Sequence, residues 1–142
     1  MKIYLLITID TECDKGPEWK IQKPLQFKSI TYGIPNILTP LFNAFELKPT
    51  YLLSPEDLTD EECVKVLSKC ENAELGTHLH GEFINPEANW NTDNTRTPQS
   101  AYPPIVEKAK LENLTNLFTK KFGYRPTSFR AGRWGISRYT LH

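Results

Sequence analysis

Several residue classes are scarce in this sequence of 142 residues, and each scarcity excludes a class of protein. The three cysteines (Cys13, Cys63 and Cys70) are odd in number and have no Cys-x-x-Cys spacing, which argues against a disulfide framework. The 17 basic residues balance the 17 acidic ones and form no basic block. Nucleic acid and anionic membrane surfaces are therefore not expected partners.

Long apolar runs are also missing, so no transmembrane segment is predicted. Met1 to Ile9 is apolar, but it is short and continues directly into Asp10. It lacks the longer apolar region and the small-residue cleavage site of a secretory signal. A reducing, cytoplasmic setting is therefore expected. The length predicts one domain over residues 1–142.

Apolar runs and helical spacing alternate along the chain. Strands are predicted at residues 3–9, 50–53, 73–80 and 127–130, and the nearly unbroken run Ile3–Ile9 is typical of a strand covered on both faces. Helical patterns separate the strands, with a kink or a late start predicted at Pro40. This alternation predicts an α/β fold with parallel strands, in which sites lie at the carboxyl ends of the strands.

Two pairs of chemically active residues follow predicted strands at a spacing of two. Asp10 and Glu12 end the first strand, and His78 and His80 end the third. Alternate residues of a strand share a face, so each pair projects together. Two imidazoles and nearby carboxylates are typical metal ligands, although His-x-His alone is equally consistent with ordinary hydrogen-bonded histidines.

Aromatic residues and irregular stretches mark the predicted substrate side. Trp19 lies in a polar loop, where lining a pocket and plain packing are equally open. Residues 81–103 form the longest irregular stretch and contain Trp90; a substrate-contacting loop is favoured there, with disorder as the alternative. Arg133 and Trp134 lie in a turn bracketed by glycines after the fourth strand.

Four motifs in order along the chain resemble the polysaccharide deacetylase family (NodB-like, carbohydrate esterase family 4). They are Ile7–Glu12, Lys48–Leu52, Glu74–His80 and Arg125–Gly135. Within the family, the sequence is most similar to the divergent branch found with bacterial cell-wall and surface-polysaccharide genes. The resemblance covers nearly the whole chain, and the last motif is the most distinctive.

This resemblance implies the N-terminal part of a distorted NodB-like (β/α) barrel with parallel strands and outer helices. It implies a metal-dependent hydrolase, commonly a zinc enzyme, that removes acetyl groups from an acylated sugar or related amide. By position, Asp10 resembles the general base and Arg130 the arginine that supports it. The predicted metal ligands are Glu12, His78 and His80, and the predicted substrate-binding residues are Trp19, Glu82, Trp90, Arg133 and Trp134.

The chain departs from the family pattern in three respects. The two acids flank Thr11, whereas the family usually has adjacent aspartates. The family histidines usually stand four apart, which puts Glu82 at the second position and leaves that ligand open between His80 and Glu82. The later motifs, including the histidine that acts as general acid, have no counterpart, and His142 cannot be assigned to that role. The chain is therefore expected to be a C-terminally incomplete domain and a poor catalyst by itself.

Two other functions compete with a hydrolase. A sugar-binding or scaffolding domain could keep the fold without the chemistry, and its metal content would distinguish it. A glycosidase acid pair is disfavoured, because acids two residues apart on one strand lie side by side and cannot readily flank a glycosidic bond.

Overall fold

The computed structural model describes residues 1–91 and 97–140 and contains a single four-stranded sheet in that part of the chain. Its strands are Thr8–Thr11 (β1), Thr50–Leu53 (β2), Glu74–Leu79 (β3) and Phe129–Ala131 (β4). They lie in the order β1-β2-β3-β4, and every neighbouring pair is parallel. The predicted α/β class with parallel strands is confirmed.

The first strand lies further along the chain than the apolar run predicts. β1 pairs with β2 from Thr8 onward. The hydrogen bond nearest the N-terminus of this ladder is donated by the Thr50 N–H to the Ile7 carbonyl at 2.9 Å. The residue before Thr50 is Pro49, which has no N–H to extend the ladder. The prediction of a covered strand over Ile3–Ile9 is therefore wrong for its first half, where the side chains of Ile3 to Leu6 are 71–87% exposed.

The connection from β1 to β2 contains one continuous helical stretch, and two hydrogen-bonding patterns follow each other within it. Residues Ser29–Leu38 are π-helical, and Thr39–Ala44 form helix α1. The stretch begins at Ser29 because the Asp14 carboxylate accepts hydrogen bonds from the backbone N–H groups of Lys28 (2.6 Å) and Ser29 (3.1 Å). The predicted late start at Pro40 is not observed, because the helical stretch runs through it. Pro40 is the second residue of α1, where the hydrogen-bonding pattern changes from π-helical to α-helical.

Two short helices, α2 (Pro55–Thr59) and α3 (Glu61–Leu67), connect β2 to β3. The sequence places a capping box at residues 59–62, but Thr59 ends α2, so the extended backbone required of a capping residue falls to Asp60 instead. Its carboxylate accepts from the Cys63 N–H at 2.9 Å.

The last connection contains the longest helix, α4 (Pro104–Phe122), which ends at Gly123 with a φ of +82° as predicted for a left-handed cap. The described helices include none with the length and apolar character needed to cross a bilayer. The helices cover the outer face of the sheet. The core between helices and sheet includes Tyr51, Leu53, Leu75 and Leu79 from strands, and Ile30, Ile34, Leu58, Leu67, Leu114 and Phe118 from helices. The three cysteines are unpaired packing residues, as predicted.

The sheet is strongly curled, so that its first and last strands approach each other across the inner face. Arg130 of β4 donates through Nη1 to Asp10 Oδ1 of β1 at 2.5 Å, although β2 and β3 lie between these strands. In a flat sheet the two strands would be about 14 Å apart. Gly76 lies on the inner face between them, and a Cβ there would be 2.6 Å from the Ser128 carbonyl oxygen. The curl gives a half-barrel that is compatible with part of a (β/α) barrel.

A buried cation on α4 fixes the chain where it leaves β3. The Lys110 side chain is fully buried, and its ammonium donates to the carbonyl oxygens of Gly81 and Ile84, each at 2.8 Å, and to that of Pro86. An ammonium has three N–H donors, so its hydrogen-bonding capacity is filled by this loop. Lys110 therefore ties the segment after His80 to the helix behind the sheet.

We predict that Lys110→Met lowers the free energy of unfolding by about 3 kcal/mol, because it leaves buried carbonyl oxygens without donors. Urea unfolding followed by circular dichroism measures this difference. Lys108→Met is the matched control, since Lys108 lies on the same helix with its side chain 73% exposed. Equal stability of the two variants would contradict a structural role for Lys110.

Candidate metal centre

The two same-face pairs predicted from the sequence meet in one cavity at the carboxyl ends of the strands. Asp10 is the last inward-facing residue of β1, one before its end at Thr11, and His78 pairs in register with Arg130 of β4. The cavity has a volume of about 320 Å³. Its lining includes the predicted base, the predicted ligands and several rim residues: Asp10, Glu12, Lys15, Trp19, Ile21, His78, His80, Arg130, Ala131, Arg133 and Trp134.

His78 is held with a defined ring orientation. Its Nδ1 lies 3.0 Å from the Arg130 carbonyl oxygen. A carbonyl only accepts hydrogen bonds, so Nδ1 must carry the proton and the lone pair of the neutral ring lies on Nε2. That nitrogen lies 4.0 Å from Asp10 Oδ2. His78 therefore presents an electron pair toward the acids in the cavity.

His80 lies between two carboxylates, one at each ring nitrogen. Its Nε2 is 3.3 Å from Glu12 Oε2, and its Nδ1 is 3.4 Å from Glu56 Oε1. The second separation is longer than an ordinary hydrogen bond. Among the described residues, however, neither Nδ1 nor either Glu56 oxygen has a hydrogen-bond partner, and the Glu56 side chain is fully buried.

Glu56 was not predicted as a site residue. Together with Glu12 and His80 it forms a group whose ligand atoms lie within 4.8 Å of one another, close enough to hold a metal ion. A signal was available, because Glu56 follows β2 by only three residues and so lies at the same carboxyl edge as the other acids. In sequence, Ser54-Pro55-Glu56 is typical of a helix start.

The buried groups of the cluster differ in their protonation. Burial, reinforced by the neighbouring His80, lowers the pKa of His78. Burial also opposes a charge on His80, but the carboxylates of Glu56 and Glu12 outweigh it and raise its pKa. The same interaction with His80 outweighs burial at Glu56 and lowers the pKa of that carboxyl. For Asp57 next to it, burial and the Glu56 charge act together and raise the pKa well above its usual value.

The two acids of the first pair have separate basic partners. Asp10 is paired with Arg130, whose other terminal nitrogen donates to the Thr8 hydroxyl. Glu12 Oε2 lies 3.1 Å from the Lys15 ammonium, which is 9% exposed. Each carboxylate therefore faces a cation on one side and an imidazole on the other.

The two candidates for the second histidine position lie in different surroundings. His80 lies against Glu12, whereas the Glu82 side chain is buried in an ion pair with both terminal nitrogens of Arg133. Glu82 does not line the cavity, but its partner Arg133 does. Glu82 is thereby committed to orienting an arginine at the rim.

The three tryptophans predicted to contact substrate are not equivalent. Trp19 and Trp134 line the cavity mouth and are 67% and 90% exposed. Both have left-handed backbones, with φ of +59° and +56°, a conformation that is strained for bulky residues and is often retained at functional sites. Trp90 lies outside the cavity and packs on Phe83, with ring centroids 5.0 Å apart. Residues 92–96 of the predicted substrate loop lie outside the described residues, and so does His142.

No family model, no curated protein and no solved structure matches this chain. The resemblance of the four motifs therefore supplies only expectations about function. The geometry of the site is an observation that does not depend on that resemblance.

We predict that the chain binds one zinc ion and that His78→Ala and His80→Ala each weaken binding at least about tenfold, since each removes a nitrogen ligand. Isothermal titration calorimetry with zinc measures the affinity. Cys70→Ala is the control, because this thiol donates to the Val66 carbonyl oxygen on α3 and does not line the cavity. Unchanged affinity in either histidine variant would remove that histidine from the centre.

Proposed function

We propose that this chain is a metal-dependent hydrolase of the polysaccharide deacetylase kind, which removes acetyl groups from an acylated sugar. The observation that carries the proposal is the cavity in which two oriented imidazoles and two carboxylates face one another. In a parallel α/β sheet, this edge is where binding and catalytic residues gather.

The donor atoms suit a divalent metal. Zinc–nitrogen and zinc–oxygen bonds of about 2.0–2.1 Å place neighbouring tetrahedral ligands about 3.4 Å apart. The Glu12 Oε2–His80 Nε2 separation of 3.3 Å matches that spacing. The lone pair of His78 Nε2 is free of its backbone contact and is the proposed third donor, although the described group whose ligand atoms lie within 4.8 Å of one another contains Glu12, Glu56 and His80 and not His78. Two imidazoles and one carboxylate leave a coordination position open, as catalytic zinc sites do.

The residues around this position have distinct tasks. A bound zinc ion would polarise an acyl carbonyl and lower the pKa of a water molecule. Asp10 lies on the same face as Glu12 and His78, close enough to accept a proton from an attacking water. Arg130 holds the Asp10 carboxylate through Nη1 and so limits its rotation. Asp10 is therefore the residue that fits a general base.

The rim of the cavity favours a carbohydrate. Trp19 and Trp134 offer exposed indole faces at the opening, and indoles combine a large apolar surface with a hydrogen-bonding N–H. Arg133, fixed by Glu82, adds donors for hydroxyl or carbonyl oxygens. Apolar faces with a few placed donors suit the alternating apolar and polar surfaces of a sugar ring.

One observation favours the alternative, a non-catalytic sugar-binding domain. Arg130 and Lys15 already neutralise Asp10 and Glu12, so the two acids are satisfied without a metal. Metal content separates the two functions: a purified protein without stoichiometric divalent metal supports the binding domain.

We predict that Asp10→Asn reduces acetyl release by about a hundredfold to ten-thousandfold while zinc affinity is unchanged, because the amide cannot accept the proton. Acetate release from a chromogenic acetyl ester and from an N-acetylated oligosaccharide measures the rate. Calorimetry on the same preparation measures zinc binding.

Glu12→Gln is the comparison variant, because Glu12 lies one alternate position further on the same face and is expected to lose zinc and activity together. If Asp10→Asn also loses zinc, the roles of the two acids are shared or reversed. Wild-type activity in Asp10→Asn would contradict the proposed base.

A further inference from the structure

A fully buried carboxylate, Glu56, lies against the ring of His80, one of the proposed metal ligands. It is the second residue of α2, directly after the turn that follows β2. Its side chain has no exposed surface, and neither oxygen has a hydrogen-bond partner among the described residues. A buried charge of this kind costs several kcal/mol unless a partner compensates it. Its nearest basic neighbour is His80.

The two carboxylates that flank His80 approach opposite ring nitrogens. Glu12 faces Nε2, and Glu56 faces Nδ1. The lone-pair directions of the two nitrogens diverge, so a metal ion on one nitrogen lies on the far side of the ring from the other. An ion on Nε2 would have Glu12 as its nearest carboxylate, and an ion on Nδ1 would have Glu56, although the ligand atoms of all three residues lie within 4.8 Å of one another.

The cavity shows which of the two carboxylates lies on the open side of His80. Glu12 and His80 line it, whereas Glu56 does not. The open side of His80 is therefore its Nε2 side, and the closed side is the one that Glu56 occupies. An N–H at Nδ1 pointing toward Glu56 leaves the Nε2 lone pair directed into the cavity.

We propose that Glu56 is a positioning residue, which holds the proton of His80 on Nδ1 and so presents Nε2 as a ligand. The arrangement parallels His78, whose Nδ1 faces a carbonyl oxygen of Arg130. Carboxylates behind metal-binding histidines set the ring orientation and raise ligand basicity. The inference deepens the proposed function, because it concerns how one ligand of that centre is prepared.

The neighbouring acid provides a matched control. Asp57 is as deeply buried as Glu56 and lies on the same short helix. Its carboxylate accepts from the Ser54 backbone N–H at 3.3 Å, and it has no contact with His80. Either substitution perturbs the same buried region, but of these two acids Glu56 is the one that lies against the imidazole.

The first test is the ring tautomer of His80 in the metal-free wild-type protein. Nitrogen-15 NMR of the histidine rings, at a pH above the titration of both imidazoles, identifies the protonated nitrogen. We expect the proton of His80 on Nδ1 and a shift toward Nε2 protonation in Glu56→Gln. A wild-type ring protonated on Nε2 overturns the proposal, whether or not the protein binds zinc and even if the variant fails to fold.

The second test is zinc affinity by calorimetry, with folding checked by circular dichroism. We expect Glu56→Gln to bind zinc about 10- to 100-fold more weakly, and Asp57→Asn to bind like wild type. Equal weakening in both variants overturns the positioning role, and so does a loss in Glu56→Gln as complete as in Glu12→Gln, which would make Glu56 a ligand. Absence of zinc binding in wild type counts against the proposed function, and the tautomer still decides the role of Glu56.

Discussion

The ion pair between Arg130 and Asp10 is the contact on which the arrangement of the site depends. It joins the last strand to the first across the inner face, so the carboxyl ends of four short strands converge on one cavity. The same residue also fixes an imidazole, because the Arg130 carbonyl oxygen accepts from His78 Nδ1. One residue of β4 thus orients the proposed base through its side chain and a proposed ligand through its backbone. The close approach requires Gly76, since a side chain there would collide with the Ser128 backbone.

The site is also a nearly balanced set of charges, partly exposed at Asp10 and Arg130 and buried at His80 and Glu56. Asp10 faces Arg130, Glu12 faces Lys15, and His80 lies between Glu12 and Glu56. Such pairing is what makes buried ionisable groups tolerable, because an unpaired one would cost several kcal/mol. Because the acids already have basic partners, the same residues are consistent with either a catalytic metal centre or a metal-free binding site. A divalent cation would replace Lys15 as the partner of Glu12, and a measurement of metal binding detects this replacement.

Much of the fold could be predicted because its signals are local. The β2 run, the α4 helix with its Gly123 cap and the parallel order of the strands follow from side-chain periodicity and backbone chemistry. The position of β1 could not be predicted. Ile3–Leu6 has the composition of a buried strand, but the neighbouring strand β2 begins only after Pro49 and leaves these residues without a partner in the sheet. Glu56 was missed for a related reason: an acid in the first turn of a helix is ordinary in sequence, and only its burial against His80 distinguishes it.

The sequence by itself determined which residues share a face, because alternation along a strand is a property of the backbone. It therefore paired Asp10 with Glu12 and His78 with His80 and put both pairs at the same edge of a parallel sheet. Only the tertiary structure decided how far apart these pairs lie, which nitrogen of each ring faces the acids, and that Glu82 pairs with Arg133. Those outcomes depend on the curl of the sheet and on contacts between residues up to 122 positions apart, which no local pattern records.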